Sequence, residues 1–134
     1  MENKDKEMYR ANKKSLKRFI KSFKFAEEGV RYAFYHEQNI IVMIIMGIIA
    51  IIMGLIFNIS YLERLVIILL IGMIISLEMM NTAIEAVVNL HDGDKKSAYG
   101  KVAKDCASGA VAFASIFAFI VGLIIFVPHI ISLF

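Results

Sequence analysis

Residues 65–90, LVIILLIGMIISLEMMNTAIEAVVNL, decide the fold. The uncharged run from Leu65 to Leu77 is too short to cross the hydrocarbon core of a bilayer alone, which takes about 20 apolar residues. It spans only if residues 78–90 extend the same helix, and that helix then carries Glu78, Asn81 and Glu85 into or near the membrane. A carboxylate at the bilayer centre costs roughly 2.5–3.5 kcal/mol even on the cheaper insertion scales, so its presence points to function by default. Spacings of i, i+3 and i+7 place the three side chains on one helical face.

The rest of the chain agrees. At 134 residues it has the length of one domain, and 59% hydrophobic content is too apolar for an ordinary soluble fold. Ile40 to Phe57 carry no charge, and Ala107 to Phe134 are uncharged apart from His129. The expected architecture is an all-α membrane protein, a single domain over 1–134. It comprises an amphipathic interfacial helix at 13–36 and transmembrane helices at 38–57, 62–90 and 100–132. The first 36 residues are charged and do not read as a signal peptide. Ten of the fifteen Lys and Arg residues precede residue 37, one (Arg64) lies in the first loop, and four (Lys95, Lys96, Lys101, Lys104) lie around the second. The positive-inside rule therefore predicts a cytoplasmic N-terminus and 90–105 loop, with the 58–64 loop and the C-terminus outside.

Leu16, Phe19, Ile20, Phe23, Ala26, Val30, Ala33 and Phe34 recur at three- and four-residue steps, with lysines and Arg18 largely on the other face. That is the pattern of a helix lying in the headgroup layer, against the plainer reading of a helix packed on protein. Residues 1–12 read as polar and frayed, and Gly29 as a point of bending. The net charge of +3 is concentrated beside a membrane span, so anionic lipid rather than nucleic acid is the expected partner. The single cysteine, Cys106, excludes an intrachain disulfide and reads as a small packing residue. Asn58-Ile59-Ser60 supplies turn and capping chemistry, and Asp92-Gly93-Asp94 marks a second turn. Ala110, Ala114 and Ala118, and likewise Gly72 with Ser76, read as small-residue ladders that let helices approach.

Glu78 and Glu85 lie about 10 Å apart along a helix axis and cannot readily share one small ion, which suggests divided roles. Glu85, nearer the cytoplasm, suits a hard cation such as Mg²⁺, which takes oxygen ligands and keeps water and phosphate in its shell. Glu78, deeper, suits proton transfer from an alcohol that arrives through the membrane. Asn81 offers a donor and an acceptor between them. Lys104 suits the neutralisation of phosphate charge, with Asp105 beside it, and phosphoryl transfer depends mainly on positioning and charge. The chain has no Walker-type loop, kinase-type glycine loop, GxSxG elbow or HExxH. Residue chemistry alone leaves three classes open: an enzyme, a transporter using Glu78 as an intramembrane ion site, and an assembly protein whose glutamates pair with Lys104 or Arg31.

The run Glu78-Met-Met-Asn81-Thr-Ala-Ile-Glu85-Ala-Val-Val-Asn89, joined to Ala103-Lys104-Asp105 and Ser108-Gly-Ala-Val111, resembles the prokaryotic diacylglycerol kinase family of small three-span membrane enzymes. Gly29-Val-Arg31-Tyr-Ala33 with Glu37 is also similar, and the likeness covers residues of about 18 to 112. It implies transfer of the γ-phosphate of MgATP to the hydroxyl of a membrane lipid by a homotrimer whose active sites are shared between subunits. Glu78 is then implied as general base, with Asn81 supporting the site. Glu37 and Glu85 are implied as Mg²⁺ ligands that also meet ATP. Lys104, Asp105, Arg18 and Phe25 are implied as nucleotide contacts, and Ser108 with Glu78 as contacts of the lipid. Two departures stand out: Asn89 replaces the family's usual aspartate, and Ser97 stands where the family has a histidine, with His91 nearby but not aligned. The extended basic N-terminus, the lack of Trp, and NTAIEAVV followed by AKDCASGAV are closer to the Gram-positive undecaprenol kinases than to the Gram-negative type that phosphorylates diacylglycerol.

Overall fold

Four helices in chain order, α1 (Glu2–His36), α2 (Gln38–Ile56), α3 (Tyr61–Asp92) and α4 (Ala98–Ile131), make up the computed structural model. Residues 2–93 and 97–133 are described, with side chains from Leu16 onward. Asp94, Lys95 and Lys96 lie outside the described residues, so of the expected 92–94 turn only Asp92 and Gly93, with φ +52°, are seen. The chain divides into two units, residues 1–36 and residues 37–134.

The first unit is α1 alone. It begins at Glu2 rather than near residue 13, which corrects the expectation of a frayed start. Residues 2–14 contain neither Gly nor Pro and are rich in Glu, Lys, Met, Arg and Ala, the better helix formers. The helix also runs unbroken through Gly29. Its apolar row of Leu16, Phe19, Ile20 and Phe23 is exposed, and the Phe19 and Phe23 rings meet edge-on at 5.2 Å. Near its end Tyr32 and His36 stack at 4.1 Å. The break falls at Glu37, whose backbone is extended (φ −114°, ψ 108°).

In the second unit α2, α3 and α4 run up and down, with α3 packed against both neighbours and most extensively against α4. All three helices, of 19, 32 and 34 residues, are long and apolar enough to cross a membrane. The α2–α3 connection is closed by local hydrogen bonding. Ser60 caps α3 in a capping box, its hydroxyl accepting from Glu63 N at 3.3 Å while the Glu63 carboxylate accepts from Ser60 N at 2.7 Å. Arg64 Nε donates to the Ile59 carbonyl at 2.9 Å and Nη2 to Asn58 Oδ1 at 3.3 Å, which ties down a turn whose Asn58 has φ +47°. Ile59 is driven into the bundle, where a Cβ on Gly54 would meet its Cδ1 at 2.9 Å. With Ile67, Ile125 and Phe126 it forms the apolar core at this end.

Two small-residue expectations are corrected. Gly72 is exposed with open space around it, and Ser76 is exposed and donates back to the Gly72 carbonyl at 2.7 Å, so this pair mediates no helix contact. On α4 the buried stripe is Ala107, Val111 and Ala114, while Ala110 faces outward. Between α2 and α3 it is Gly47 that admits a neighbouring helix, its Cβ position lying 3.0 Å from Ile71 Cγ2. Cys106 is exposed rather than packed.

That Gly47–Ile71 contact sets the register. In antiparallel helices of equal rise, Gln38 at the start of α2 stands level with Met80 on α3. The last dozen residues of α3 therefore run about 18 Å past the end of α2. α2 is just long enough for the hydrocarbon core, so this overhang belongs to the headgroup layer and the water beyond it. Glu78 lies just inside the apolar layer rather than at its centre, and Glu85 lies outside it.

Candidate active site

The apolar character of α3 gives way at one point, where Glu78, Asn81 and Thr82 are all buried, at 1%, 6% and 5% exposure. They lie on α3, the helix packed against both α2 and α4, and the buried residues of α4 in this half of the chain are the small Ala107, Val111 and Ala114. Thr82 Oγ1 is satisfied within the helix, donating to the Glu78 carbonyl at 3.0 Å. Among the described residues Glu78 Oε1 and Asn81 Oδ1 have no hydrogen-bond partner. Two acceptors on one face, buried and unanswered, cost on the order of 1–3 kcal/mol each. A chain does not keep such groups for stability, and both are free to accept a proton or a hydrogen bond from a ligand.

One to three turns further along α3 the site opens. Glu85 is half-buried and Asn89 is exposed. Lys104 Nζ reaches across from α4 and donates to Asn89 Oδ1 at 2.7 Å. Counting along both helices from this contact brings Ser108 level with Glu85 and Ser115 level with Glu78. Ser108 is exposed, and its hydroxyl donates to the Asp105 carbonyl at 3.2 Å. Asp105 is exposed beside Lys104. Glu37, half-buried at the N-cap of α2, stands about level with Asn81 by the Gly47 register. Arg18 and Phe25 are exposed on α1, where Lys21 Nζ sits 5.5 Å above the Phe25 ring.

Among the described residues no group of three or more His, Cys, Asp or Glu side chains is placed to hold a metal on protein ligands alone. The donors at hand, Glu37 and Glu85, are hard oxygen ligands on adjacent helices. One or two carboxylates with the remaining positions left to water and phosphate is the donor set Mg²⁺ takes.

Sequence reasoning missed two features. One is the Asn89–Lys104 bond, which the i+4 step from Glu85 to Asn89 hinted at. The other is the close of the α3–α4 turn. Asp92 Oδ2 accepts from Ser97 N at 3.0 Å, and Ser97 Oγ, the N-cap of α4, accepts from Gly100 N at 2.9 Å. Gly100 is buried beneath them, where a Cβ would collide with the Asp92 carboxylate, the Ser97 hydroxyl and Val88. The position where the resemblance led one to look for a histidine is thus a helix cap.

Comparison with known proteins identifies the family. The profile of "Prokaryotic diacylglycerol kinase" matches residues 24–126, a stretch holding the whole α3–α4 site and Glu37. The chain is 38% identical over 117 residues to undecaprenol kinase of Bacillus subtilis (strain 168), covering 87% of this chain and 94% of that protein. It is 37% identical over 112 residues to a diacylglycerol kinase of Synechocystis sp. (strain ATCC 27184 / PCC 6803 / Kazusa), covering 84% of this chain and 64% of the relative's length. With a matching profile over most of its length and relatives of this kind, the chain belongs to the prokaryotic diacylglycerol kinase family, membrane phosphotransferases with a lipid alcohol as acceptor.

Proposed function

We propose that this lipid kinase transfers the γ-phosphate of MgATP to undecaprenol, with Glu78 as the general base. The observation that carries the reading is the unpartnered Glu78 Oε1, buried beside Asn81 at the boundary of the apolar layer. A polyprenol or diacylglycerol lies in the bilayer with its hydroxyl at this boundary, so the acceptor oxygen and Glu78 share a level. As that oxygen forms a bond to the γ-phosphorus, the bond from the γ-phosphorus to the β–γ bridging oxygen breaks and ADP leaves. Glu78 takes the hydroxyl proton and later returns it to water. Asn81 Oδ1, also unpartnered, orients the acceptor or supports the carboxylate.

Glu85 and Glu37 hold Mg²⁺, which when bound neutralises and orients the ATP phosphates. Lys104 supplies further positive charge from α4, with Asp105, Arg18 and Phe25 as nucleotide contacts and Ser108 toward the lipid. The catalytic face opens at the polar end of the bundle, on the cytoplasmic side by the charge rule, with the C-terminus outside. α1 lies in the headgroup layer, and the functional unit is a homotrimer with sites shared between subunits. All 134 residues serve this one kinase function.

Undecaprenol is favoured over diacylglycerol by the relative that matches nearly end to end, which carries the name undecaprenol kinase. The Synechocystis relative keeps diacylglycerol as the second reading. Nothing in the site or the kinships supports transport. A purely structural role for the glutamates fares no better, since Lys104 bonds to Asn89 and Glu78 Oε1 is left unpaired. The test is an acceptor panel with labelled ATP under saturating Mg²⁺. Undecaprenol labelled faster than diacylglycerol is the expected result. Preference for diacylglycerol overturns the acceptor assignment, and no labelled lipid with either overturns the reaction.

A further inference from the structure

We infer that Asn89 is a positioning residue for the phosphate-binding charge: it holds the Lys104 ammonium across the α3–α4 seam without neutralising it. This rests on the reading of Lys104 as a phosphate contact. Lys104 begins on α4, and its four-carbon stem ends in a mobile point charge. The 2.7 Å bond to Asn89 Oδ1 fixes that charge one helical turn beyond Glu85, about 6 Å along the axis of α3. The level matters. Phosphates reaching from the aqueous side toward a metal at Glu85 pass the ammonium on the way.

The chemistry of the partner matters equally. A carboxylate at this position would form a charge-assisted bond and cancel much of the field that draws an anion. An amide oxygen restrains the ammonium through one of its three protons and leaves the net charge and two donors for the incoming phosphates. Asn89 is exposed, and the α3–α4 interface beneath it is formed by other residues, chiefly Ala107, Val111 and Ala114. Among the described residues its side chain makes one hydrogen bond, the one to Lys104, and takes no part in the buried packing beneath.

The experiment compares steady-state kinetics of the full chain in detergent or bilayers for Asn89→Ala, Asn89→Asp, Lys104→Ala and the double variant Asn89→Ala/Lys104→Ala. Asn89→Ala is expected to raise KM for MgATP about five-fold, the value of one ordinary hydrogen bond, while KM for the lipid and thermal stability stay put. Asn89→Asp keeps the tether, so its KM falls below that of Asn89→Ala, but the cancelled charge leaves it above the parent's. The double variant is expected to be no worse than Lys104→Ala alone. An unchanged KM in Asn89→Ala with an impaired Lys104→Ala overturns the inference and leaves the phosphate role of Lys104 standing. Additive losses in the double variant also overturn it, because Asn89 then acts elsewhere. An unimpaired Lys104→Ala overturns the phosphate role and the inference with it.

Discussion

Glu78 and Glu85 differ by seven residues and by two environments. The first is buried with an unanswered oxygen, and the second is half-buried on an overhang beyond the apolar layer. A buried oxygen without a hydrogen-bond partner costs the fold that holds it, so replacing the carboxyl group by an amide of the same shape takes no stabilising bond away from Oε1. Glu78→Gln is therefore expected to match or exceed the parent in thermal stability in detergent. A structural glutamate held in a buried pair would instead lose about 3–5 kcal/mol on losing its charge, and a large drop in melting temperature would point that way. Glu85→Gln is expected to raise KM for MgATP ten-fold or more, about 1.4 kcal/mol, and to raise the Mg²⁺ concentration needed for half-maximal rate. A titration in which Glu85→Gln matches the parent in both would remove Glu85 from the metal. The i, i+3, i+7 spacing made the carboxylate face legible in the sequence. What spacing could not supply was depth, since only the register with α2 puts Glu78 at the edge of the apolar layer rather than in its middle.

At the scale of elements, the four helices and their approximate bounds were readable because long uncharged runs leave few alternatives. The errors have local causes. Residues 2–12 are polar and were read as frayed, yet their composition favours helix. Gly72, Ser76 and Ala110 are small, but size does not say which face a residue occupies: of the expected α4 ladder Ala114 is buried and Ala118 half-buried, while Ala110 is exposed and the buried stripe continues through Val111 and Ala107. The α3–α4 turn was the least legible part, because its caps depend on Asp92, Ser97 and Gly100 meeting in space. It should also be the most sensitive. Gly100→Ala is expected to destabilise by about 1–3 kcal/mol through overpacking against Asp92, Val88 and Ser97. By contrast Gly29→Ala, which meets open space in mid-helix, should stabilise α1 by about 0.5–1 kcal/mol. Thermal denaturation of the two variants in the same detergent tests the pair, and an equal response in both would contradict the assigned packing.

The whole molecule explains why the site sits where it does. Most of the apolar stretch of each of the three helices is uncovered, only 17% to 22% of it being buried. The remainder is an apolar face that suits lipid. One end of the bundle is closed by Ile59, Ile67, Ile125 and Phe126, while the other extends α3 and α4 past α2 as a two-helix arm bearing Glu85, Asn89 and Lys104. An arm of two helices is thin for enclosing a nucleotide and a lipid, which is the physical ground for sites completed by a second subunit. Co-assembled Glu78→Gln and Glu85→Gln chains, assayed at a MgATP concentration far below the raised KM of Glu85→Gln so that each alone turns over little, are expected to regain part of the activity if one site takes its base and its metal ligand from different subunits. Mixtures as inactive as the separate variants would assign both residues to one subunit.

The most direct test of the central claim is the turnover of Glu78→Gln at saturating MgATP with undecaprenol as acceptor, measured beside MgATP binding to the same preparation. The account predicts a loss of about 10²- to 10⁴-fold, the usual worth of a positioned base, with MgATP binding retained. Turnover within a few-fold of the parent would contradict it.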